Sequence, residues 1–171
     1  MSPSIKTVLG FDIDSRFIGV AFVRDGLPVY TFTLKLKGQT FDDRLLQLVA
    51  NVAELLPRGK TWPDLIAIED RNVARNQRTT NRLGEMAGAV KVLLIEKGYV
   101  GPFMDVNAAR KLAVIGLSTR LGREALKQLT LSRVAKMCQA QGVPPPATDH
   151  EADAVMVARA AYIDARRGRG A

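Results

Sequence analysis

A short apolar run near the start of the chain ends in acid. Val8 to Phe11 form the pattern of a buried strand, and Asp12 and Asp14 follow two residues apart, on the same side of an extended backbone. Burying an unpaired carboxylate is costly, so an acid at the end of a core strand needs a reason. Turn formation explains Asp14 well and Asp12 poorly. We therefore interpret Asp12 as a metal ligand to which the fold brings other acids.

A second apolar strand also ends in acid. Residues 65–69 form a short apolar run that closes with Glu69, and a helical apolar pattern over residues 41–56 precedes it. A crossover of that length makes the strand parallel to the first one. Parallel neighbours bring their carboxyl ends to one edge of a sheet, so we expect Glu69 to lie near Asp12. The alternative is a surface acid that opens a loop.

The remaining pattern predicts an α/β fold with a five-stranded mixed sheet flanked by helices. An antiparallel meander opens the chain, with a hairpin signal at Asp25-Gly26, and two parallel strands follow. The strands are predicted over residues 7–13, 17–24, 28–34, 65–69 and 103–106. The helices are predicted over residues 41–56, 79–97, 107–114 and 123–140, and from residue 149 onward.

Composition restricts the class of protein. With 171 residues and 47% of them hydrophobic, the chain is long enough for one globular domain, which we assign to residues 1–165, with a basic, disordered tail at 166–171. A membrane span and a secretory signal are not expected, and the single cysteine, Cys138, makes an internal disulfide impossible. We expect a cytoplasmic protein with a buried thiol. A net charge of +8 points to a polyanionic partner, usually nucleic acid.

The last predicted helix carries a third acid inside an apolar stretch. Asp153 follows Asp149 by four residues and His150 by three, so all three can share one helix face. Carboxylates that converge repel each other, and divalent cations such as Mg²⁺ relieve this repulsion. Two such ions, about 3.5–4 Å apart, could clamp the attacking and leaving oxygens of a phosphodiester. Acids and basic charge together therefore indicate a metal-dependent nuclease.

The order of these motifs resembles the RuvC-type Holliday junction resolvases, which have the RNase H-like fold. The resemblance is carried by the segments 10–15, 67–69, 109–116 and 150–154, and it extends over nearly the whole chain. It implies a homodimer that nicks two strands of a four-way DNA junction symmetrically with Mg²⁺ or Mn²⁺. Such an enzyme would work in a bacterial cell or a phage-infected host.

Matched position by position, the resemblance assigns three metal-binding acids to Asp12, Glu69 and Asp153. It also assigns a functional lysine to Lys111, which could stabilise developing charge near the scissile phosphate.

The family's fourth acid falls on His150, a position where family members have either Asp or His. Histidine suits Mn²⁺ better than Mg²⁺. Asp149 and Glu151 are rivals for this role, and Thr148 and Glu151 also have capping-box spacing. A further alternative is that His150 is simply an exposed residue of the first turn.

The chain departs from the family pattern in two places. Ile13-Asp14 stands where Pro-Gly is usual, and we favour a turn role for Asp14 over that of an accessory acid. The stretch 70–76 lacks the aromatic residue that many members place after the central acid, thought to wedge into the junction centre. Arg71 or Arg75 could replace it, because guanidinium planes stack on bases.

Basic residues are predicted to contact the DNA backbone. The helix over residues 79–97 resembles the family's dimer helix, and the alternative is a core helix packed only on its own sheet. Binding through phosphates would be sensitive to salt. The predicted backbone contacts are Arg71, Arg75, Arg78, Arg110, Arg123 and Lys127.

Other functions are compatible with the same residues. One is a nuclease of this fold that acts on flaps, D-loops or RNA–DNA hybrids. Another is a junction-binding module without catalysis, although acids at all three core positions argue against it. The opening motif also resembles that of ATPases and sugar kinases of the actin type, which need a second such domain and phosphate-binding hairpins for which this chain has no room.

Overall fold

The structure is a computed structural model that describes residues 5–56, 63–70, 77–99, 103–105, 109 and 122–168. The side chains of residues 70, 103–105 and 123 are not described. The helix predicted over residues 107–114 lies outside the described residues except for Ala109, and its outcome stays a prediction.

Five strands form one mixed sheet in the order β3-β2-β1-β4-β5. The pairs β1–β2 and β2–β3 are antiparallel, whereas β1–β4 and β4–β5 are parallel. This confirms the predicted α/β class, with its opening meander and two following parallel strands. The strands are β1 Thr7–Ile13, β2 Phe17–Arg24, β3 Leu27–Lys35, β4 Leu65–Asp70 and β5 Phe103–Asp105.

The turn between β2 and β3 confirms the hairpin signal. Asp25 and Gly26 have φ angles of 51° and 80°, the left-handed values that a two-residue type I′ turn requires. The register shifts between Phe22 and Val23, which pair with Tyr30 and Pro28, so Val29 is an extra residue in the edge strand.

Four described helices cover the two faces of the sheet. Thr40 caps the first one through a reciprocal capping box with Asp43. Gly98 and Gly142 end the second and third helices with φ angles of 80° and 67°. The helices are α1 Phe41–Leu55, α2 Gln77–Glu96, α3 Arg123–Ala140 and α4 Asp149–Arg166.

The end of α4 changes the predicted boundary of the tail. Arg166 belongs to the last helical turn, so the helix includes the first residue assigned to the basic tail. Residues 169–171 lie outside the described residues. The division into one domain and a tail stays a prediction.

Strand β1 alternates between two cores. Leu9 and Phe11 pack with α1 and α2, whereas Val8 packs with α3 and α4 on the opposite face. Gly10 is needed on that second face, because a Cβ there would lie 2.8 Å from the Cβ of Ala158 and collide with the backbone of α4. The absence of a side chain lets α4 lie directly against β1.

Two further expectations concern the class of protein. Within the described ranges, no helix has both the length and the apolar character needed to cross a membrane. Cys138 is a buried free thiol, as expected, and its pKa is raised by burial and by the nearby charge of Glu151. A raised pKa keeps the thiol protonated and unreactive.

Candidate active site

Asp12 and Glu69 stand side by side at the carboxyl ends of two parallel strands. The register pairs Phe11 with Ile68, and each acid is the next residue along its strand. Both are buried, with exposed fractions of 0% for Asp12 and 5% for Glu69. Since residues in register on parallel strands point to the same face, both acids belong to the face covered by α4. The predicted proximity of the two strand ends is confirmed.

The first turn of α4 lies over the same sheet edge. Gly19 is the β2 partner of Asp12, and a Cβ at Gly19 would lie 3.0 Å from the Cβ of His150 and collide with its backbone. A side chain at this position would push the helix away from the sheet. Gly10 and Gly19 therefore allow the two close approaches that bring His150 to Asp12.

His150 contacts Asp12 directly. Its Nδ1 lies 2.6 Å from Oδ2 of Asp12, and its ring stacks on Phe17 with centroids 5.6 Å apart. The hydrogen bond to Asp12 raises the pKa of His150 above its ordinary value and outweighs the lowering by half-burial, and the charges of Asp149 and Asp14 raise it further. A protonated imidazole would neutralise part of the buried negative charge.

The two rivals of His150 have other partners. Asp149 forms an ion pair with Lys127 of α3. Glu151 is 5% exposed, and its carboxylate turns away toward β3. Of the three candidates in the first turn, His150 is the one shown in contact with Asp12.

The capping box predicted at α4 is half wrong. Thr148 Oγ1 accepts a hydrogen bond from the Glu151 backbone N–H at 3.2 Å, as predicted. The Glu151 side chain, however, accepts from the backbone N–H of Ala147 and from hydroxyls on β3. Partners more than 100 residues earlier in the chain attract this carboxylate away from its local position.

Asp153 lies one turn beyond His150 and is 7% exposed. All three predicted acids are therefore buried, which is uncommon for acidic side chains. Across the described ranges, however, no group of three or more His, Cys, Asp or Glu side chains is close enough together to hold a metal ion. The structure thus brings together β1, β4 and α4, the elements that carry the three acids. The set of metal ligands stays a prediction.

Asp14 occupies the turn between β1 and β2. Its backbone N–H donates to the carbonyl of Phe17 at 2.9 Å, and its Oδ1 accepts from Ser15 Oγ and the Arg16 N–H at 3.2 and 3.3 Å. These contacts agree with the turn role favoured from the sequence.

Most of the predicted basic contacts lie outside the described residues. That is the case for Arg71, Arg75, Arg110 and Lys111, and the stretch expected to hold a wedge residue is likewise not described from residue 71 onward. Three other basic residues belong to described helices. Arg78 is exposed on α2, Arg123 is the first residue of α3, and Lys127 is half-buried against Asp149.

Sequence reasoning missed the residues that support His150. Phe17 was interpreted only as a strand residue, and Gly19 was not singled out. A glycine inside an apolar strand is a usable signal, since it often marks the close approach of another backbone. No local signal could reveal that Glu151 pairs with β3.

No protein-family model matches the chain. Among curated proteins, it is 32% identical over 115 residues to the crossover junction endodeoxyribonuclease RuvC of Nitratidesulfovibrio vulgaris strain DP4, covering 64% of this chain and 67% of that protein. The RuvC proteins of Tolumonas auensis and Halorhodospira halophila are 30% and 33% identical over 114 residues, covering 64% of this chain and 64% and 66% of theirs.

The fold agrees over a longer stretch. RuvC of Thermus thermophilus, solved in complex with Holliday junction substrate, matches with a TM-score of 0.73 and 21% identity over 96% of this chain and 97% of that one. A second structure of Thermus thermophilus RuvC matches with a TM-score of 0.71 and 20% identity over 95% and 97%. The RNase H-like fold expected from the sequence is confirmed. Taken with the curated relatives, this shows that the chain belongs to the RuvC family of crossover junction endodeoxyribonucleases.

Proposed function

We propose that this chain is a structure-selective endonuclease that resolves four-way DNA junctions by paired symmetric nicks. The observation that carries the proposal is the pair of buried acids, Asp12 and Glu69, at adjacent carboxyl ends of parallel strands, with His150 seated on Asp12. Relatives named as crossover junction endodeoxyribonucleases support the reaction class. A neighbour of the same fold solved with junction DNA supports the substrate.

The donor set fits hard divalent ions. Asp12, Glu69 and Asp153 would supply carboxylate oxygens, and His150 a ring nitrogen, to two Mg²⁺ or Mn²⁺ ions. When bound, such ions would activate water and stabilise the leaving 3′-oxygen of a phosphodiester. The burial of all three carboxylates supports this assignment, because cations stabilise carboxylates that solvent cannot reach.

His150 would hold the site together before an ion binds. Its contact with Asp12 provides a partner for a carboxylate that has no exposure to solvent. The stacked ring of Phe17 keeps the imidazole in place over the strand end. The hydrogen bond and the stacked ring would thereby orient the Asp12 carboxylate at the end of β1.

The basic residues would hold the DNA. We assign to Lys111 the stabilisation of the charge that develops near the scissile phosphate, as the family resemblance implies. We assign phosphate contacts to Arg71, Arg75, Arg78, Arg110, Arg123 and Lys127. The net charge of +8 supports an anionic partner, and the affinity should fall steeply with salt.

We also assign α2 to a homodimer interface. Val92 and Ile95 on this helix are 56% and 68% exposed. Large apolar side chains that are exposed together on one surface often mark an interface with another protein. A Cβ added to Gly84 or Gly88 would meet no atom within 4 Å, so a second backbone has room to approach. Two copies would give one nicking site for each of two strands. The dimer would act in the cytoplasm of a bacterial cell or a phage-infected host.

The test is cleavage of a labelled immobile four-way junction with Mg²⁺, with Mn²⁺ and with chelator. The proposal predicts metal-dependent nicks at symmetric positions on two opposing strands. Faster cutting of a flap, a D-loop or an RNA–DNA hybrid of equal length would contradict the substrate. Junction binding without metal-dependent nicking would contradict catalysis and indicate a binding module.

A further inference from the structure

We propose that Glu151 is a positioning residue that fixes the first turn of α4 on β3 and so sets the place of His150 and Asp153. This inference rests on the proposed metal-dependent nuclease function. If the inference holds, Glu151 is not a metal ligand, although it lies in the sequence between His150 and Asp153, which are expected to bind the ions. It also gives β3, one of the edge strands of the sheet, a role in the site.

Both carboxylate oxygens of Glu151 have partners. Oε1 accepts a hydrogen bond from Thr33 Oγ1 at 2.9 Å, and Oε2 accepts from Thr31 Oγ1 and the Ala147 N–H at 3.0 Å each. Thr33 Oγ1 also lies 2.7 Å from Thr148 Oγ1. We call these five residues, Thr31, Thr33, Ala147, Thr148 and Glu151, the β3–α4 clasp.

The clasp joins β3 to the first turn of α4. Thr148 is the N-cap of α4, and Thr31 and Thr33 occupy alternate positions of β3, on one face of the strand. A buried carboxylate that accepts three hydrogen bonds stabilises the fold. Without the carboxylate, the three donors would be left without their acceptor, which would lower the free energy of unfolding. The clasp therefore resists sliding of the first helical turn along the sheet.

The neighbouring residue shows why such sliding matters. His150 packs on the backbone of Gly19 and reaches Asp12 at 2.6 Å, so its position depends on where the first turn lies. Residues that hold metal ligands in place typically contribute about 10- to 100-fold in metal affinity or activity. We expect an effect of that size from Glu151, without contact with the ion or the DNA.

Three variants separate positioning from ligation. Glu151→Ala removes the acceptor and should reduce Mn²⁺-dependent nicking by about 10- to 100-fold. Glu151→Gln keeps the shape, an oxygen for the Ala147 N–H and a group that can pair with Thr33, so it should restore the rate close to that of the unchanged chain. The double variant Thr31→Val with Thr33→Val keeps the acid but removes the hydroxyls, and should resemble Glu151→Ala.

A spectroscopic readout does not depend on activity or on metal. His150 is the single histidine of the chain, so its imidazole NMR signals are unambiguous. We expect one sharp set of signals in the unchanged chain and in Glu151→Gln. Glu151→Ala should shift and broaden them, because the first turn of α4 then samples several positions.

A matched control removes the effect of lost stability. Asp64→Ala takes hydrogen-bond acceptors from the opposite end of β4, far from the clasp, and should lower thermal stability without affecting nicking or the His150 signals. A rate for Glu151→Gln as low as that of an Asp12 variant would overturn the inference and identify Glu151 as a ligand. Unchanged His150 signals in Glu151→Ala would overturn it as well.

The two proposals can fail separately. If the unchanged chain does not nick junctions, the proposed function fails, and Mn²⁺ titration of the metal-free protein still tests the clasp. Weaker Mn²⁺ binding by Glu151→Ala, with recovery in Glu151→Gln, would support positioning. Equal Mn²⁺ affinity in the unchanged chain, Glu151→Ala and Glu151→Gln would contradict positioning.

Discussion

The parallel pair β1–β4 carries acids at both of its ends, and the two ends use them differently. At the amino end, Asp64 is exposed and accepts hydrogen bonds from the Lys6 N–H, the Thr7 N–H and Thr7 Oγ1 at 2.9, 2.7 and 2.9 Å. At the carboxyl end, Asp12 is fully buried and contacts a side chain of a helix 138 residues later.

The difference separates an acid that stabilises the fold from one to which we assign a role in the proposed reaction. Burial alone would raise the pKa of Asp64, but the hydrogen bonds from Thr7 and Lys6 outweigh it, and the pKa is lowered. Its main-chain donors cannot move away without breaking the strand pair. The partner of Asp12 that the structure shows is a side chain, and under the proposed function His150 would turn away from it when a cation binds.

The largest predicted effect comes from Asp12→Asn. The amide keeps the shape of the carboxylate but loses its charge, so metal-dependent nicking should fall by more than about 100-fold, since even supporting residues of metal sites contribute about 10- to 100-fold. Thermal stability should stay equal or rise, because a buried charge is removed. Cleavage assays and melting curves of the same preparation check both results. Full cleavage activity in this variant would contradict the assignment of Asp12 to the reaction.

Asp64→Ala should show the reverse pattern. Removing the acceptor from three donors near the surface should lower the free energy of unfolding by about 1–2 kcal/mol. Nicking at a temperature where the variant stays folded should be unchanged. Urea unfolding and single-turnover cleavage measure the two quantities. A loss of nicking at equal folded fraction would show that the amino end also serves the reaction.

The N-caps of α1 and α4 offer a smaller, matched comparison. Thr40→Ala and Thr148→Ala should each reduce stability by about 1 kcal/mol, the typical contribution of such a cap. Only Thr148→Ala should also slow nicking, because Thr148 belongs to the β3–α4 clasp. Equal nicking rates in the two variants would contradict a special role for the start of α4.

The smallest effect is the pH dependence that Asp64 contributes. A lowered pKa in the folded state means that its stabilisation is complete above the ordinary aspartate pKa of about 3.9 and is lost as the pH falls below it, when the unfolded chain takes up the proton first. The stability difference between the unchanged chain and Asp64→Asn should therefore be constant near neutral pH and shrink below about pH 4. Melting curves from pH 3 to pH 8 measure this difference. A difference that grows on acidification would have the wrong sign.

The sequence predicted those parts of the fold that depend on local pattern. Alternating apolar residues and the Asp25-Gly26 turn located β1 to β3, and the crossover length made β4 parallel to β1. The helices predicted over residues 41–56 and 123–140 agree with α1 and α3. Strand-end acids in two parallel strands sufficed to place Glu69 beside Asp12.

The parts that the sequence did not predict depend on contacts between distant residues. Glu151 has capping-box spacing with Thr148, and nothing local indicates that Thr31 and Thr33 compete for its carboxylate and win. Likewise, Gly19 reveals its purpose only when His150 is seen packed on it. Long-range pairing of side chains decided which residue of the first α4 turn reaches Asp12.

The metal site that we propose requires Asp12, Glu69 and Asp153 to share divalent ions at one edge of the sheet. Anomalous diffraction from crystals grown with Mn²⁺ tests it most directly, because the signal locates the metal without assumptions about activity. We predict anomalous peaks bounded by these three carboxylates, with His150 turned from Asp12 toward a peak, and no such peaks in Asp12→Asn crystals. Manganese bound elsewhere, with His150 still hydrogen-bonded to Asp12, would contradict the account.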